Sequence, residues 1–153
     1  MGVKEVKEFF QERNLDFQVQ EFTESTATVE LAARALGVEP GMIAKTMSFK
    51  VKDNGSLLLI AAGDKRVDNR KFKDTFKGKG SMLSPDEVSE LTGHPVGGVC
   101  PFALKHKLPV YLDVSLQAYQ YIYPAAGSPN SAVKMTPADL EQVTGGSWVD
   151  VCK

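Results

Sequence analysis

The sequence predicts a single α+β domain in which short helices surround a mixed and mostly antiparallel sheet. The first observation is that 153 residues with 42% apolar and 24% charged side chains are typical of one globular domain. The second is that strand-like and helix-like periods follow one another along the chain without a linker. The third is Asn54-Gly55, a pair that favours the tight turn of an antiparallel hairpin. We therefore expect residues 1–153 to form one domain.

The N-terminal half is predicted from apolar spacing and from turn residues. Thr28 is a suitable N-cap for a helix, and Gly37 can end that helix in a left-handed conformation. Pro40-Gly41 forms a turn before the first strand of the hairpin. The predicted elements are a helix over 3–13, a strand over 17–22, a helix over 29–36 and strands over 43–51 and 56–62.

The C-terminal half is predicted to contain two capped helices and several short strands. Ser84-Pro85 and Thr136-Pro137 both place a capping hydroxyl before a proline at the first helical position. Residues 96–104 are rich in glycine and proline, which is typical of a loop. The predicted elements are helices over 68–76, from 85 to a stop at Gly93, and over 137–143, with strands over 109–113, 119–123, 132–135 and 148–151.

Composition excludes several functional classes. The longest apolar run is far shorter than the roughly 18 residues of a membrane span. The N-terminus lacks the apolar core of a signal peptide, so we expect a cytoplasmic protein that does not meet a membrane. Cys100 and Cys152 are far apart in the sequence, which predicts neither a zinc site nor a disulfide. We expect no metal, no cofactor and a monomeric chain.

Charge is distributed unevenly, although the net charge is only −1. Residues 64–80 carry seven lysine or arginine residues against three aspartates. A basic surface of this kind can contact phosphate groups, and the alternative is a solvated helix face. The candidate contacts to a nucleic acid are Lys65, Arg66, Arg70 and Lys71.

Lys45 is the most distinctive residue, because strand alternation places this cation among apolar neighbours. Ile43, Met47 and Phe49 share its face of the predicted strand. A buried ammonium group is costly unless it is paired or used in function. Such an amine can donate hydrogen bonds or, with a lowered pKa, act as a general base or nucleophile. The alternative is an edge strand whose lysine reaches water.

Two glycine-containing segments can bring main-chain groups close to a ligand. The first is the loop Gly97-Gly98-Val99-Cys100-Pro101, and the second is the turn Gly127-Ser128-Pro129-Asn130. Both also fit an ordinary turn. Cys100 could be a nucleophile, although neither histidine has a spacing that makes it a partner base. We expect His94 and His106 to be surface residues.

Five segments occur in an order and at distances that characterise one protein family: Ile43-Ala-Lys-Thr-Met47, Ala62-Gly-Asp-Lys-Arg-Val-Asp68, Leu91-Thr-Gly-His-Pro-Val-Gly-Gly-Val-Cys-Pro-Phe102, Pro109-Val-Tyr-Leu-Asp113 and Tyr123-Pro-Ala-Ala-Gly-Ser128. Across nearly its whole length the chain resembles the YbaK/ProX family of aminoacyl-tRNA deacylases. That domain is also an editing insertion in bacterial prolyl-tRNA synthetases. The resemblance implies hydrolysis of the ester that joins a wrong amino acid to the 3′ end of a tRNA, often tRNA for proline.

The resemblance also implies roles for particular residues. Lys45 corresponds to the family's key active-site lysine, and the loop from Gly97 to Pro101 corresponds to the loop whose amides hold the substrate. We therefore predict a catalytic centre formed by Lys45, Gly97, Gly98 and Pro101. Substrate contacts are predicted for the remaining candidates: Thr28, Thr46, Val99, Cys100, Gly127, Ser128 and Asn130.

One position departs from the family pattern, because Ala132 stands where YbaK-type proteins have an aspartate. Selectivity for cysteine is therefore not implied, and residues 21–28, Ser128 and Asn130 are the alternative determinants. The implied partners are aminoacyl-tRNA, with tRNA for proline as the first expectation, and prolyl-tRNA synthetase. Two other functions remain open. One is a module that binds aminoacyl-tRNA or a nucleotide without hydrolysis, and the other is a hydrolase of another small ester or amide.

Overall fold

Five short helices and eight strands follow one another along residues 2–153, the part of the chain that this computed structural model describes. Two 3₁₀ turns, Pro40–Met42 and Val114–Ala118, lie between them. The helices are α1 (Val3–Glu12), α2 (Val29–Leu36), α3 (Asn69–Phe76), α4 (Pro85–Thr92) and α5 (Pro137–Thr144). The strands are β1 (Val19–Glu21), β2 (Ile43–Val51), β3 (Gly55–Ala62), β4 (Gly80–Met82), β5 (Val110–Asp113), β6 (Tyr123–Pro124), β7 (Ser131–Val133) and β8 (Ser147–Val149).

The main sheet has the strand order β4-β2-β3-β5-β8, with β6 also paired to β2. The β2–β3 hairpin and the β2–β4 pair are antiparallel, whereas β6, β5 and β8 join their neighbours in parallel. A separate antiparallel pair is formed by β1 and β7. The predicted α+β class with a mixed sheet is therefore confirmed. In the part of the chain that is described, no helix is long and apolar enough to cross a membrane.

Strand β2 has two partners along one edge and a gap between them. Strand β6 pairs with residues 43–44, and β4 pairs with residues 49–51. Within the gap, the carbonyl of Ser48 accepts a hydrogen bond from the N–H of Leu83, at 3.1 Å. Because alternate residues of a strand direct their main-chain groups to the same side, Thr46 also faces this gap. The gap leaves the middle of β2 open to a ligand.

The core lies on both faces of the sheet because β3 is buried on both sides. Ile60 and Ala62 belong to the larger cluster, which contains Val6 and Phe10 of α1, and Leu59 belongs to the cluster that contains Phe72 of α3. Phe10 and Phe102 meet edge to face in the larger cluster, with ring centroids 5.0 Å apart. Burial of each such side chain contributes roughly 2 kcal/mol. The two clusters fix β2 and β3 between them, so the site is built on a rigid strand.

The observed structure differs from the predictions at three places. Residues 119–123 were expected to form one strand, but the chain makes a 3₁₀ turn over Val114–Ala118 and pairs only at Tyr123–Pro124. The turn forms because the Asp113 carboxylate accepts the Ser115 N–H, at 3.0 Å. Strand β4 was not predicted, since three residues are too few to show alternation. The expectation that His94 is a surface residue is wrong, because its side chain is fully buried.

His94 is held in the core by its hydrogen bonds. Its Nε2 lies 2.7 Å from the carbonyl oxygen of Phe102, so Nε2 carries the proton and donates it. Its Nδ1 is buried and has no hydrogen-bond partner among residues 2–153. Burial lowers the pKa of His94, because a second proton would sit on an unpaired, desolvated nitrogen.

We expect acidification to destabilise the fold through His94. The unfolded chain binds a proton at about pH 6.5, whereas the folded chain binds it only at lower pH. The free energy of unfolding should therefore be highest above about pH 6.5 and fall as the pH drops to the folded-state pKa. Urea unfolding of the wild type at pH 7.5 and 5.5 measures the difference in the free energy of unfolding between the two pH values. This difference should be smaller in His94→Gln. In the control His106→Gln, which changes an exposed residue, it should persist.

Candidate functional site

A cavity of about 270 Å³ lies beside the open stretch of β2. Its floor is formed by residues 43–48 of that strand. Its walls come from residues 26–29 before and at the start of α2, from the loop after α4 through Gly97 and Val99, and from residues 131–132 of β7. Residues between 82 and 88 and between 123 and 125 also line it, so six separate parts of the sequence meet at one place.

The chemical character of the cavity is set by one cation in uncharged surroundings. Lys45 is the only charged side chain that lines it among the described residues. Small apolar side chains such as Ala27, Ala32 and Ala132 make up part of the wall. Hydroxyl groups provide the other polar lining, from Thr26, Thr28, Thr46, Ser48 and Ser131 together with the phenol of Tyr123. Such a site suits a small uncharged group joined to one that carries or develops negative charge.

The amine of Lys45 is neither buried without a partner nor free in water. The side chain is half-buried, and Nζ donates a hydrogen bond to the main-chain carbonyl of Lys65. Burial lowers the pKa of Lys45, and nearby Asp64 partly opposes that shift by stabilising the ammonium form. The amine is thus held at one side of the cavity by a single carbonyl. Its other protons are available to a ligand.

The carbonyl that holds Lys45 belongs to a segment fixed by the C-terminal residues. The N–H of Arg66 donates to the Lys153 carbonyl at 3.1 Å, and the Lys153 N–H donates back at 2.8 Å. The N–H of Asp68 donates to Val151, at 2.8 Å. The buried carboxylate of Asp113 in turn accepts the Val151 N–H, at 2.9 Å. This ladder explains why Lys65 stays in position beneath the amine.

Only some residues of the loop from Gly97 to Pro101 line the cavity. Gly97, with a φ of 91°, and Val99 line the cavity. The amide of Gly98 is used in a turn, because it donates to the Pro95 carbonyl at 3.0 Å. Gly98 packs directly on the backbone of Ser128, where an added Cβ would lie 2.5 Å from the Ser128 nitrogen. The loop is therefore seated against the second glycine segment, and only part of it faces the cavity.

The second glycine segment supports the cavity wall from behind. The Gly127 N–H donates to the Gly98 carbonyl, at 3.1 Å. The side-chain amide of Asn130 donates to the Phe22 carbonyl at 2.8 Å, and the Thr26 N–H donates to Pro129 at 2.6 Å. These bonds fix the segment 22–26, which leads into the wall residues at the start of α2. The turn positions two walls of the cavity at once.

The structure brings together five of the predicted site residues, and the others lie behind or beside the cavity. Cys100 is fully buried near His94, and burial raises the pKa of its thiol to about 12, so it is protonated at neutral pH. Contact with substrate stays a prediction for every one of the predicted site residues. Those that line the cavity are Lys45, Gly97, Thr28, Thr46 and Val99. Those that do not are Gly98, Cys100, Pro101, Gly127, Ser128 and Asn130.

The predicted tRNA contacts lie in α3 and in the segment before it, which is joined to the cavity through Lys45. Lys65 and Arg66 occupy the exposed segment whose carbonyl holds Lys45, and Arg70 is exposed in α3. The amine of Lys71 is already engaged, by Asp150 at 3.2 Å and by the Cys152 carbonyl at 3.0 Å. Three basic side chains therefore remain accessible to phosphate groups.

Several lining residues were not singled out from the sequence. Ala27 and Val29 flank the helix cap, Met82 ends β4, and Val96 lies in the loop after α4. Nothing in their side chains indicates a ligand, because small or apolar residues carry no reactive group. Only their convergence in the fold makes them part of a site. Within residues 2–153, no group of three or more His, Cys, Asp or Glu residues could hold a metal ion.

Comparison with known proteins gives a family match. The model of the aminoacyl-tRNA editing domain family matches residues 23–143, which include every cavity wall. An uncharacterised protein of Bacillus subtilis, YwhH, is 48% identical over 154 residues, covering 100% of this chain and 98% of that protein. The multifunctional Ser/Thr-tRNA deacylase ProXp-y of Escherichia coli K12 is 32% identical over 125 residues, covering 78% of this chain and 75% of that protein.

A solved structure agrees with this match at the level of the whole fold. It is named as a candidate trans-editing enzyme for prolyl tRNA synthetase, and it superposes with a TM-score of 0.91. The two chains are 33% identical, and the match covers 99% of this chain and 96% of the other. The similarity extends over almost the whole length of both chains.

Proposed function

Because the chain belongs to the aminoacyl-tRNA editing domain family, we propose that it hydrolyses the ester of mischarged aminoacyl-tRNA in trans. The observation that carries this proposal is Lys45, the one charged side chain among the described residues that line the cavity. The cavity takes the amino acid, and the amine lies beside the ester that joins it to the tRNA. The cytoplasm is the proposed location, with the chain acting as a monomer.

The proposed chemistry uses position and charge. A water oxygen forms a bond to the ester carbonyl carbon, and the carbonyl oxygen becomes an oxyanion. The Lys45 ammonium and main-chain amides of the loop at Gly97 and Val99 stabilise this negative charge. The bond to the 3′ oxygen then breaks, and that oxygen takes the proton that the water loses. An aminoacyl ester is already reactive, so alignment of the water supplies much of the acceleration.

The lining of the cavity supports a small, uncharged amino acid as the substrate. Ala27, Ala32 and Ala132 have small side chains, which leave space in the cavity for a ligand. No acidic residue in the described lining would pair with a basic substrate. Hydroxyls of Thr26, Thr46 and their neighbours can meet a polar group. The E. coli relative is named for seryl and threonyl substrates, and the structural neighbour for prolyl-tRNA synthetase. We therefore propose tRNA for proline, with prolyl-tRNA synthetase as the enzyme whose errors are cleared.

A panel of mischarged tRNAs tests the proposal. tRNA for proline carrying Ala, Cys, Ser, Thr or Pro is incubated with the protein, and the remaining ester is measured over time. We expect loss of one or more of the small uncharged amino acids and retention of proline. Binding of every species without hydrolysis would instead support a non-catalytic aminoacyl-tRNA-binding module. Hydrolysis of simple esters with no preference for tRNA would support a general esterase.

We expect the basic residues near Lys45 to contribute to tRNA binding. In Lys65→Glu/Arg70→Glu, the KM for aminoacyl-tRNA should rise, because both side chains are exposed and Lys65 belongs to the segment that holds the Lys45 amine. The slope of log KM against log salt should fall by about one for each lost phosphate contact. The control is Lys4→Glu/Lys107→Glu, which reverses two exposed charges elsewhere. Equal effects of the two variants would remove this docking surface.

A further inference from the structure

Two apolar side chains at the cavity are far more exposed than apolar residues elsewhere in the described chain. Met82 is 65% exposed and Val96 is 58% exposed, and both line the cavity. The other large exposed apolar residues lie between 36% and 39%. An exposed apolar surface beside a binding cavity indicates contact with a partner.

Packing within the fold does not account for either residue. Met82 ends β4, where its backbone pairs with Phe49, but its side chain belongs to none of the three core clusters. Val96 lies in the loop between the buried His94 and Gly97, and it is also absent from those clusters. Both side chains are therefore free to contact a ligand that enters or covers the cavity.

We propose that Met82 and Val96 bind the adenine base of the terminal nucleotide of the tRNA. This inference rests on the proposed function. With the amino acid inside the cavity and its ester beside Lys45, the ribose lies at the opening, and the base must lie against the rim. The face of a purine is an apolar π surface that packs well on a thioether and on branched aliphatic groups.

The rim formed by Met82 and Val96 differs from the basic residues in the kind of contact that it makes. Adenine is neutral at pH 7, so its packing on Met82 and Val96 releases no counterions. Loss of this contact should weaken binding equally at low and high salt. Loss of Lys65 or Arg70 should instead change the salt dependence. The two surfaces can therefore be separated in one set of measurements.

The test compares two substrates with two variants. In Met82→Ser/Val96→Ser, kcat/KM for aminoacyl-tRNA should fall about 10-fold or more, mainly through KM and with an unchanged salt slope. Hydrolysis of the methyl ester of the same amino acid, which has no base, should fall by a much smaller factor. The control Leu31→Ser/Val114→Ser removes two exposed apolar side chains that do not line the cavity, and it should behave as wild type. Thermal unfolding verifies that both variants are folded.

An unchanged KM for aminoacyl-tRNA in the rim variant, or an equal loss with the methyl ester, would overturn the inference. A change in sedimentation of the rim variant would do so as well, since it would assign this surface to contacts between copies of the chain. If wild type hydrolyses no aminoacyl-tRNA, the proposed function fails independently. In that case titration with adenosine, followed by the methyl NMR signal of Met82, still tests the rim. We expect a shift with adenosine and a smaller one with uridine, and no shift with either would refute it.

Discussion

Replacement of Lys45 by alanine should abolish most hydrolysis of mischarged tRNA while leaving the fold intact. Removal of one group that stabilises an oxyanion typically lowers kcat by about 100-fold to 1,000-fold. No other charged side chain lines the cavity in the described residues, so none can replace the amine. Lys45 is half-buried, and burial lowers its pKa, so its charge is not expected to contribute to the stability of the fold. The free energy of unfolding should therefore stay within about 1 kcal/mol of wild type.

The control for this prediction is Lys50→Ala. Lys50 lies on the same strand and is exposed, so its removal changes net charge equally without altering the cavity. Single-turnover deacylation and urea unfolding of both variants give the comparison. Hydrolysis by Lys45→Ala within a few-fold of wild type would contradict the proposed role.

The pH dependence of the reaction gives a second measure of the same role. The ammonium form of Lys45 is needed for charge stabilisation, and it is lost as the pH rises through a pKa that burial has lowered. The enzymatic rate relative to the uncatalysed rate should therefore decline at a pH below the ordinary range of lysine. Arginine does not lose its charge in this range, so whatever activity Lys45→Arg retains should not decline.

Replacement of Gly98 by alanine should have the second-largest effect, and it should affect both stability and activity. The added Cβ would lie 2.5 Å from the nitrogen and Cα of Ser128, which are backbone atoms and cannot move aside as a side-chain end could. Overpacking of this kind costs about 1–3 kcal/mol. The two glycine segments must separate, so Gly97 and Val99 shift in the cavity wall. A displacement of about 1 Å at a catalytic site can lower the rate by about 100-fold.

Gly145→Ala is the matched control. Gly145 ends α5 with a φ of 67° and has open space around its Cα, so alanine there meets no atom within 4 Å. Its cost is conformational, about 1–2 kcal/mol, and should leave kcat unchanged. Thermal unfolding and kcat of both variants separate the two effects. Wild-type activity in Gly98→Ala would show that the contact between the segments is not needed for the site.

Short-range sequence features determined much of the fold. The hairpin forms where Asn54-Gly55 predicts it, and β2 and β3 lie within a residue of their expected bounds. The positive φ values of its turn are at Asp53 and Gly55 rather than at Asn54, because Gly55 already pairs with Val51. Ser84 and Thr136 cap their helices as expected, each in a capping box. These features depend on neighbours only a few residues apart. The sequence alone is therefore sufficient to predict them.

Long-range pairing was beyond the reach of local patterns. The order of strands in the sheet, the short strand β4 and the burial of His94 depend on segments that are distant in sequence. His94 could be placed only through the carbonyl of Phe102, because histidine is equally compatible with a surface and with a satisfied core position. Whether a polar residue is buried or exposed can be inferred only when its hydrogen-bonding partner is known.

The candidate site also combines features that the local sequence predicts with features that only the fold provides. The sequence by itself determined that Lys45 stands on a strand among apolar neighbours and that two glycine segments accompany it. Only the tertiary structure decided that the Lys65 carbonyl holds the amine and that the cavity is completed by residues 26–29 and 131–132. It also decided that Gly98 and Gly127 bond to each other. The physical reason is that residue type and spacing constrain local conformation, whereas a cavity exists only where separate segments pack and leave space between them.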